Sequence, residues 1–345
     1  MKISLLVLFV IVASSAFATI HSVSNVDTSA QFFTIQAACD ASQSGDSIYV
    51  LASPTNYDGF TINNKKLAVF GPGWSPFTGG TAIINGDQFG TACTLTGTGA
   101  SGSELQGLIF YGAIRIENSN INDLIFYRNR LYTILFANGQ SENNYRFEGN
   151  WFVDGGQGYP AGIFGSSLSN SVIRNNLFFG GALRYMTGNN VILYHNLFYG
   201  RQSDFFQTSH LILSNNIIQI DVSGTSFSTF NNNITYNAGN NTPWNTNNNI
   251  DAGGNIANTN PQMADEASVD ADVNYPLLNF TIAQGPGNNS GSDGKDMGLL
   301  FDKGGVTNWS NSRAAHLPYI TGFTITNQNI FTGGYIYFNV SAKSN

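Results

Sequence analysis

Charged side chains are scarce in this chain, because Asp, Glu, Lys and Arg together make up 10% of its 345 residues. The 14 Lys and Arg residues are outnumbered by 21 Asp and Glu residues, which gives a formal net charge of −7. Proteins that bind nucleic acid need clustered basic residues that displace counterions from phosphates. The composition therefore argues against a nucleic-acid partner.

Long apolar runs are missing after the first 18 residues. Residues 1–18 have the form of a signal peptide, with Lys2 at a positive start, an apolar stretch over 5–12 and the small residues Ala16 and Ala18 at the cleavage site. That stretch is too short to span a bilayer. We therefore expect an exported monomer, secreted or held at the cell surface, without a membrane span.

Cysteine is also rare, with Cys39 and Cys93 as the two residues of this type. An oxidising compartment permits a disulfide between them, whereas small buried cysteines that stay unpaired are the alternative. The sequence leaves both alternatives open.

A short phrase repeats over about residues 126–250: a polar or flexible residue, then Asn, then two or three apolar residues. The copies lie at 147–152, 173–178, 193–198, 213–218, 230–234 and 247–250. The Asn before the apolar pair falls at 150, 176, 196, 216, 233 and 249, in steps of 26, 20, 20, 17 and 16. A period near 20 residues is typical of a solenoid, in which each repeat buries its face by stacking on the next.

The apolar runs indicate strands, because they are short and rich in β-branched and aromatic residues. Asn tolerates the left-handed backbone of a sharp turn. In coils stacked about 4.8 Å apart, Asn176, Asn196 and Asn216 are expected to form a ladder of side-chain hydrogen bonds. Each is followed by an apolar residue, which predicts that Leu177, Leu197 and Ile217 form one inward-facing stack.

These features resemble the right-handed parallel β-helix proteins, with the pectate-lyase-like superfamily as their best-known members, of secreted bacterial type. The segments 34–41 and 45–50 are similar to that family's capping helix and first strand, 57–62 and 67–71 to its first coils, and 255–261 and 291–298 to its closing segment. The resemblance implies an all-β, right-handed parallel β-helix over 19–300 with an N-terminal capping helix. Alternating runs at 319–325 and 335–340 predict an antiparallel strand pair in a C-terminal extension, 301–345.

The resemblance places working groups on the outer face of the strand after the long loop, or in the bordering loops. The 20-residue step makes Arg184 and Asp204 equivalent positions in adjacent coils, with Phe164 one coil earlier and Met186 and Phe206 two residues further along their strands. Aromatic carbon beside a charged pair suits a sugar ring, so we predict a substrate-binding face. A surface ion pair and aromatics packed under the loop at 155–159 are the alternative.

Catalytic motifs are missing. The family's polygalacturonase branch carries Asn-x-Asp, Asp-Asp and Gly-His-Gly motifs, since acid and base catalysis need two carboxylates, and none occurs here. Carboxylates in the coil are scattered, and His195 is interpreted as a replacement for an Asn in the ladder. Asp265, Glu266, Asp270 and Asp272 offer hard oxygen ligands that suit Ca²⁺, with an exposed acidic loop as the alternative. No cofactor is otherwise expected.

These observations favour a secreted β-helix that binds a polysaccharide or cell-surface glycan on its lateral face. Two other hypotheses stay open. One is a polysaccharide lyase or glycoside hydrolase that uses residues without a recognisable motif, and the other is a structural or adhesion coil.

Overall fold

The structure is a computed structural model. It describes residues 18–75, 80–87, 90–117, 120–136, 141–153, 161–200, 204–300, 309, 319–325 and 338–343. The predicted signal peptide and the loop at 155–159 therefore lie outside the described residues, apart from residue 18. Within these ranges no helix is long and apolar enough to cross a membrane.

Strands dominate the described chain. They are β1 Ile20–Val23, β2 Ser47–Val50, β3 Phe60–Asn63, β4 Ala68–Phe70, β5 Ile83–Asn85, β6 Thr91–Thr96, β7 Glu104–Gln106, β8 Ile109–Tyr111, β9 Ala113–Glu117, β10 Ile125–Tyr127, β11 Arg130–Leu131, β12 Thr133–Phe136, β13 Ser141–Asn143, β14 Arg146–Glu148, β15 Trp151–Val153, β16 Ala161–Ser169, β17 Val172–Arg174, β18 Leu177–Phe179, β19 Gly181–Tyr194, β20 Leu197–Tyr199, β21 Thr208–Ser214, β22 Ile217–Ile218, β23 Thr225–Ser226, β24 Thr229–Asn231, β25 Ile234–Thr235, β26 Ile250–Asp251, β27 Tyr319–Ile325 and β28 Phe338–Lys343. The helices are α1 Ile35–Ala41 and α2 Glu266–Asp270, with short 3₁₀ turns at Thr98–Ala100 and Pro243–Asn245.

Successive coils pair in parallel. The strands β5, β8, β11, β15, β18, β20, β22 and β25 form one sheet, and the strands from β1 to β26 outside that set form a second, larger sheet. Leu177 pairs with Leu197 and Leu197 with Ile217, so one coil takes 20 residues here. The predicted all-β parallel β-helix is confirmed.

The two ends of the chain also follow the prediction. Thr34 caps α1, because its hydroxyl accepts a hydrogen bond from the Ala37 N–H at 3.1 Å. At the other end β27 pairs with β28 in antiparallel register, with the second strand three residues later than expected. Cys39 and Cys93 are buried and unpaired with each other.

The Asn ladder is present and buried. Each ladder side chain donates from Nδ2 to Oδ1 of the next Asn at 2.9–3.2 Å, along Asn129, Asn150, Asn176, Asn196, Asn216, Asn233 and Asn255. The predicted members Asn176, Asn196 and Asn216 are confirmed, whereas Asn249, the last Asn of the sequence repeat, lies outside the ladder and accepts from the Ser228 N–H. The prediction misplaced the turn, because the left-handed residues are Asn175, His195 and Asn215, each one position before a ladder Asn.

The residue directly after each ladder Asn faces away from the coil interior, so the predicted inward-facing stack is wrong. The interior is instead filled by the residue one position later, and Phe152, Phe178 and Phe198 stack ring on ring there at 4.4 and 4.6 Å. Leu177, Leu197 and Ile217 are buried in a second cluster on the outer side of the smaller sheet. The left-handed residue before the ladder Asn shifts the inward and outward alternation by one position.

Residues 251–300, the closing segment, cover that outer side. Met263, Val269, Phe280, Ile282, Met297 and Leu299 belong to the same buried cluster as the outward leucines. Main-chain contacts fix the register: the Leu300 N–H donates to Asn175 Oδ1 at 2.7 Å, and the Ser292 N–H donates to Asn215 Oδ1 at 2.8 Å. One side of the coil is therefore unavailable to a ligand, and the outer faces of the larger sheet are left.

Candidate functional site

Arg184 and Asp204 form an ion pair on the outer face of the larger sheet. Arg184 Nε donates to Asp204 Oδ1 at 2.8 Å, and both side chains are about one third exposed, at 27% and 31%. Half-buried Phe164 pairs with Arg184 in the preceding coil, as the 20-residue step predicted. In the next coil, however, Arg184 pairs with Phe206 rather than with Asp204.

Met186 does not belong to this face. Its side chain is fully buried in the coil interior. The reason is Tyr185, which adopts a left-handed backbone (φ 56°) and turns the chain between the two residues. Simple alternation would place Arg184 and Met186 on one side, whereas the corner places them on opposite sides. The prediction that Met186 binds substrate is therefore wrong.

Tyr185 itself stands at the corner and was not singled out from the sequence. It is 55% exposed, and its ring meets that of Phe206 edge to face at 5.3 Å. Phe206 is 38% exposed, and the Arg184 guanidinium lies 5.9 Å from the centre of its ring. Three neighbouring side chains thus offer aromatic carbon and charge to solvent.

A second exposed aromatic pair lies at the next corner of the same coils. The rings of His210 and Phe227 stack at 5.5 Å, and both residues have a left-handed backbone. Phe227 is 54% exposed. A left-handed backbone costs a residue with a side chain about 1–2 kcal/mol, and an exposed ring contributes little packing to offset that cost.

A row of hydroxyl groups separates the two corners. Ser167 pairs with Thr187, Thr187 with Ser209, and Ser209 with Ser226, and all four residues reach solvent. Ser209 Oγ lies 3.5 Å from Thr187 Oγ1, within reach of a weak hydrogen bond. We name the whole surface the corner face; it comprises Arg184, Tyr185, Asp204, Phe206, His210, Phe227 and the four hydroxyl residues.

Two of the four acidic residues proposed for Ca²⁺, Asp265 and Glu266, are engaged in hydrogen bonds within the protein. Asp265 Oδ2 accepts from the Asn279 N–H at 2.7 Å. The carboxylate of Glu266 accepts from Gln219 Nε2 at 2.8 Å and from the Met263 N–H at 3.0 Å. Within the described ranges, no three His, Cys, Asp or Glu side chains are grouped so that they could hold a metal ion.

His195 holds the closing segment and is out of reach of solvent. It takes the corner position that Asn175 and Asn215 occupy in neighbouring coils, one before the ladder itself. Its Nδ1 lies 3.2 Å from the Gly298 carbonyl, and its Nε2 lies 3.1 Å from Asp293 Oδ2. Burial lowers the pKa of His195 below its ordinary value, although Asp293 partly opposes this. A fully buried imidazole cannot touch a bound substrate.

The sequence contained a signal for the corner residue Tyr185, but this signal is recognisable only when the register between adjacent coils is known. Gly165 has a positive φ of 71° at the position that Tyr185 takes one coil later. A bulky residue where the previous coil has glycine indicates a strained corner. The inserted residues before Phe206 hid this equivalence, because they change the step from 20 to 22 residues at Thr187 and Ser209.

No protein-family model and no curated protein sequence matches this chain. Among solved structures it is similar to the phiAB6 tailspike in complex with oligosaccharides of Acinetobacter baumannii surface polysaccharide, with 15% identity over 90% of this chain and 63% of that chain and a TM-score of 0.28. A GH87 α-1,3-glucanase catalytic domain in complex with tetrasaccharides shares 12% identity over 61% of this chain and 64% of that chain, with a TM-score of 0.20. The matches span just under two thirds of those two chains. The fold described above therefore rests on the strand pairing of this molecule.

Proposed function

We propose that this protein is an exported, monomeric parallel β-helix that binds a polysaccharide or cell-surface glycan on its corner face. The observation that carries the proposal is that two aromatic residues, Tyr185 and Phe227, stand exposed at strained corners of the coil. Both have a left-handed backbone, and both expose more than half of their surface. Strain of this kind persists where function requires it, and neither ring is needed to fill the core.

The chemistry of the corner face suits a sugar chain. Aromatic rings contact the apolar faces of sugar rings, hydroxyl side chains donate to and accept from sugar hydroxyls, and the Arg184–Asp204 pair supplies a fixed donor and acceptor. Equivalent positions recur about every 4.8 Å along the coil, which is close to the length of one sugar residue in a chain. A repetitive rigid surface therefore matches a repetitive ligand.

Retention in native gels that contain polysaccharides tests the proposal. Neutral and acidic chains form the panel, and the two solved structures with bound oligosaccharides guide its choice. We expect the parent to be retarded by at least one neutral polysaccharide and Tyr185→Ala with Phe227→Ala to migrate freely in the same gel. Phe33→Ala is the matched control, because Phe33 is likewise 55% exposed but lies beside α1. Retention of the double variant equal to the parent's on neutral polysaccharides overturns the proposal.

A second double variant tests the part of the face that the sequence predicted. Arg184→Ala with Phe206→Ala removes the ion pair and one ring, while folding loses little because exposed ion pairs contribute about 0–1 kcal/mol. We expect weaker retention with an unchanged melting temperature. Absorbance of unsaturated products is read in the same panel. Product release by the parent replaces the binding proposal with a lyase, and no retention by any chain of the panel leaves a structural coil.

A further inference from the structure

A positively charged cluster lies on the strand segment beyond the second corner. Its members are Arg128, Arg146, Glu148 and Arg174, which we name the arginine cluster. Arg174 Nη2 donates to Glu148 Oε1 at 2.7 Å, and Arg146 Nη2 approaches Glu148 Oε2 at 3.4 Å. Arg128 lies over the ring of Tyr127 at 4.5 Å. Two guanidinium groups therefore share one carboxylate, and the charge of Glu148 also acts on the third, that of Arg128.

The carboxylate of the cluster is buried, whereas two of its guanidinium groups reach solvent. The Glu148 side chain is 6% exposed, whereas those of Arg146 and Arg174 are 53% and 36% exposed. The contacts to Glu148 use one terminal nitrogen of each of these two guanidinium groups. Each guanidinium has five N–H donors in a fixed plane, and the exposure of both side chains makes these groups accessible to a ligand. This is a local excess of positive charge in a chain of net charge −7.

The neighbours of the cluster do not neutralise it. Arg146 pairs with Ile125 on one side and with Val172 on the other, both half-exposed and apolar. Glu104 lies in the same row two coils from Arg146. Beyond Arg174 come Tyr194 and then Asp293 and Lys295 of the closing segment, whose opposite charges balance each other. Apolar flanks strengthen an ionic contact, because they lower the local dielectric.

We infer that Arg146 and Arg174 bind the carboxylate of an acidic sugar. Planar guanidinium groups match a carboxylate in two-point hydrogen bonding, and such charge-assisted bonds are stronger than neutral ones. Glu148 already binds both groups, each through one terminal nitrogen. Tyr194, half-exposed one coil further, pairs with Arg174 and adds an aromatic side chain beside the site. This site lies on a different strand segment from the corner face and does not rest on the proposed function.

Calorimetric titration of the full chain with trigalacturonate at low salt tests this site. Arg146→Gln is the informative variant, because Glu148 keeps its closer partner Arg174 and the fold stays intact. We expect trigalacturonate to bind the parent and to bind Arg146→Gln about tenfold more weakly, with a smaller salt dependence. Arg146→Lys keeps the positive charge but lacks the planar guanidinium, so its affinity for trigalacturonate should fall between those of the parent and Arg146→Gln. Lys66→Gln, which removes one exposed charge at the other end of the coil, should bind as the parent does.

The ligand has its own matched control, the methyl ester of trigalacturonate, which keeps the sugar and removes the charge. We expect no measurable binding of the ester at the arginine cluster. The double variant Tyr185→Ala with Phe227→Ala tests whether binding at the arginine cluster is independent of the corner face. We expect its affinity for trigalacturonate to stay within twofold of the parent's. The inference is overturned if the parent does not bind trigalacturonate, if Arg146→Gln binds it equally well, or if the corner variant loses it. Polysaccharide retention through the corner face is unaffected by the first two of these outcomes.

Discussion

Left-handed residues mark the corners of the coil, and their chemistry differs from corner to corner. At the corner before the Asn ladder they are Asn175, His195 and Asn215, whose side chains bond the closing segment. At the corner face Tyr185 and Phe227 take the same backbone conformation with exposed rings. Asn is the ordinary residue for such a position. An aromatic residue there is unexplained by folding and is the strongest single-residue indication of a binding role.

Tyr185→Gly separates stability from binding at the residue scale. Glycine adopts the left-handed backbone freely, so relief of strain offsets the lost ring contact with Phe206. We expect the free energy of unfolding to change by less than about 1 kcal/mol and glycan retention to be lost. Urea denaturation and gel retention measure the two effects. Gln207→Gly, at the same corner one coil later, is the control and should retain binding. A loss above about 2 kcal/mol would mean that the ring is structural.

His195→Asn tests the buried imidazole. Burial lowers the pKa of His195 in the folded chain, so the unfolded chain binds the proton first as the pH falls below about 6.5. Stability is therefore highest above that pH and declines on acidification until the folded imidazole also titrates. We expect Asn, the residue at the equivalent positions 175 and 215, to flatten this decline in melting temperatures measured between about pH 5 and 7.5. His210→Asn, which changes an exposed His, should keep the decline, and equal slopes for both variants contradict the assignment.

At the scale of elements, the Asn ladder ties each coil to the next. Asn196 Oδ1 accepts from the main-chain N–H and the Nδ2 of Asn176, at 3.0 and 3.1 Å. Its Nδ2 donates to the Ile173 carbonyl at 2.8 Å and to Asn216 at 2.9 Å. All four contacts are buried. Because no water can replace them, the ladder fixes the coil register as well as adding stability.

Asn196→Ala removes these four hydrogen bonds and leaves their partners without replacements in a buried corner. We expect a loss of about 1–3 kcal/mol in the free energy of unfolding. Asn255→Ala at the end of the ladder is the control, where a half-exposed site lets water replace the side chain, so a smaller loss is expected. Denaturation midpoints in urea compare the two variants. Equal midpoints for Asn196→Ala and the parent rule out a stabilising ladder.

At the scale of the whole molecule, the closing segment completes the fold by covering the outward leucine row. Gly298 marks its closest approach, since a Cβ there would meet Ile217 Cδ1 at 2.6 Å. The Gly298 N–H donates to the Asn215 carbonyl at 2.8 Å. A segment without long strands is thus held by apolar contacts and by the corner residues. This packing leaves the corner face and the arginine cluster as open lateral surfaces.

Gly298→Ala tests this packing against a matched position. Gly294 has nearly the same backbone (φ 75° against 79°), but its Cβ would meet nothing within 4 Å. Both substitutions carry the left-handed cost, and Gly298→Ala adds overpacking of about 1–3 kcal/mol. We expect faster limited proteolysis within 251–300 and a lower urea midpoint for Gly298→Ala than for Gly294→Ala. Identical behaviour of the two variants refutes close packing at Gly298.

Sequence alone determined the periodic part of this protein. The Asn step and the short β-branched runs predicted stacked coils and the ladder, because each depends on contacts that repeat at a fixed interval. The capping helix was predicted from the resemblance of residues 34–41 to the opening of parallel β-helix proteins. The same Asn step placed Phe164 beside Arg184 correctly, but it misplaced Asp204, which meets Arg184 through its side chain from two residues before the paired position. The outward direction of Leu177 did not follow from this step, since a left-handed residue before the ladder changes which side faces the interior.

Tertiary structure decided what lies outside the repeat. Met186 is interior because a corner intervenes at Tyr185, and Phe206 pairs with Arg184 because inserted residues shift the register. The closing segment meets the coil across about 100 positions of sequence, as between His195 and Asp293. Such contacts leave no periodic trace, because they depend on where a non-repeating chain returns to the coil.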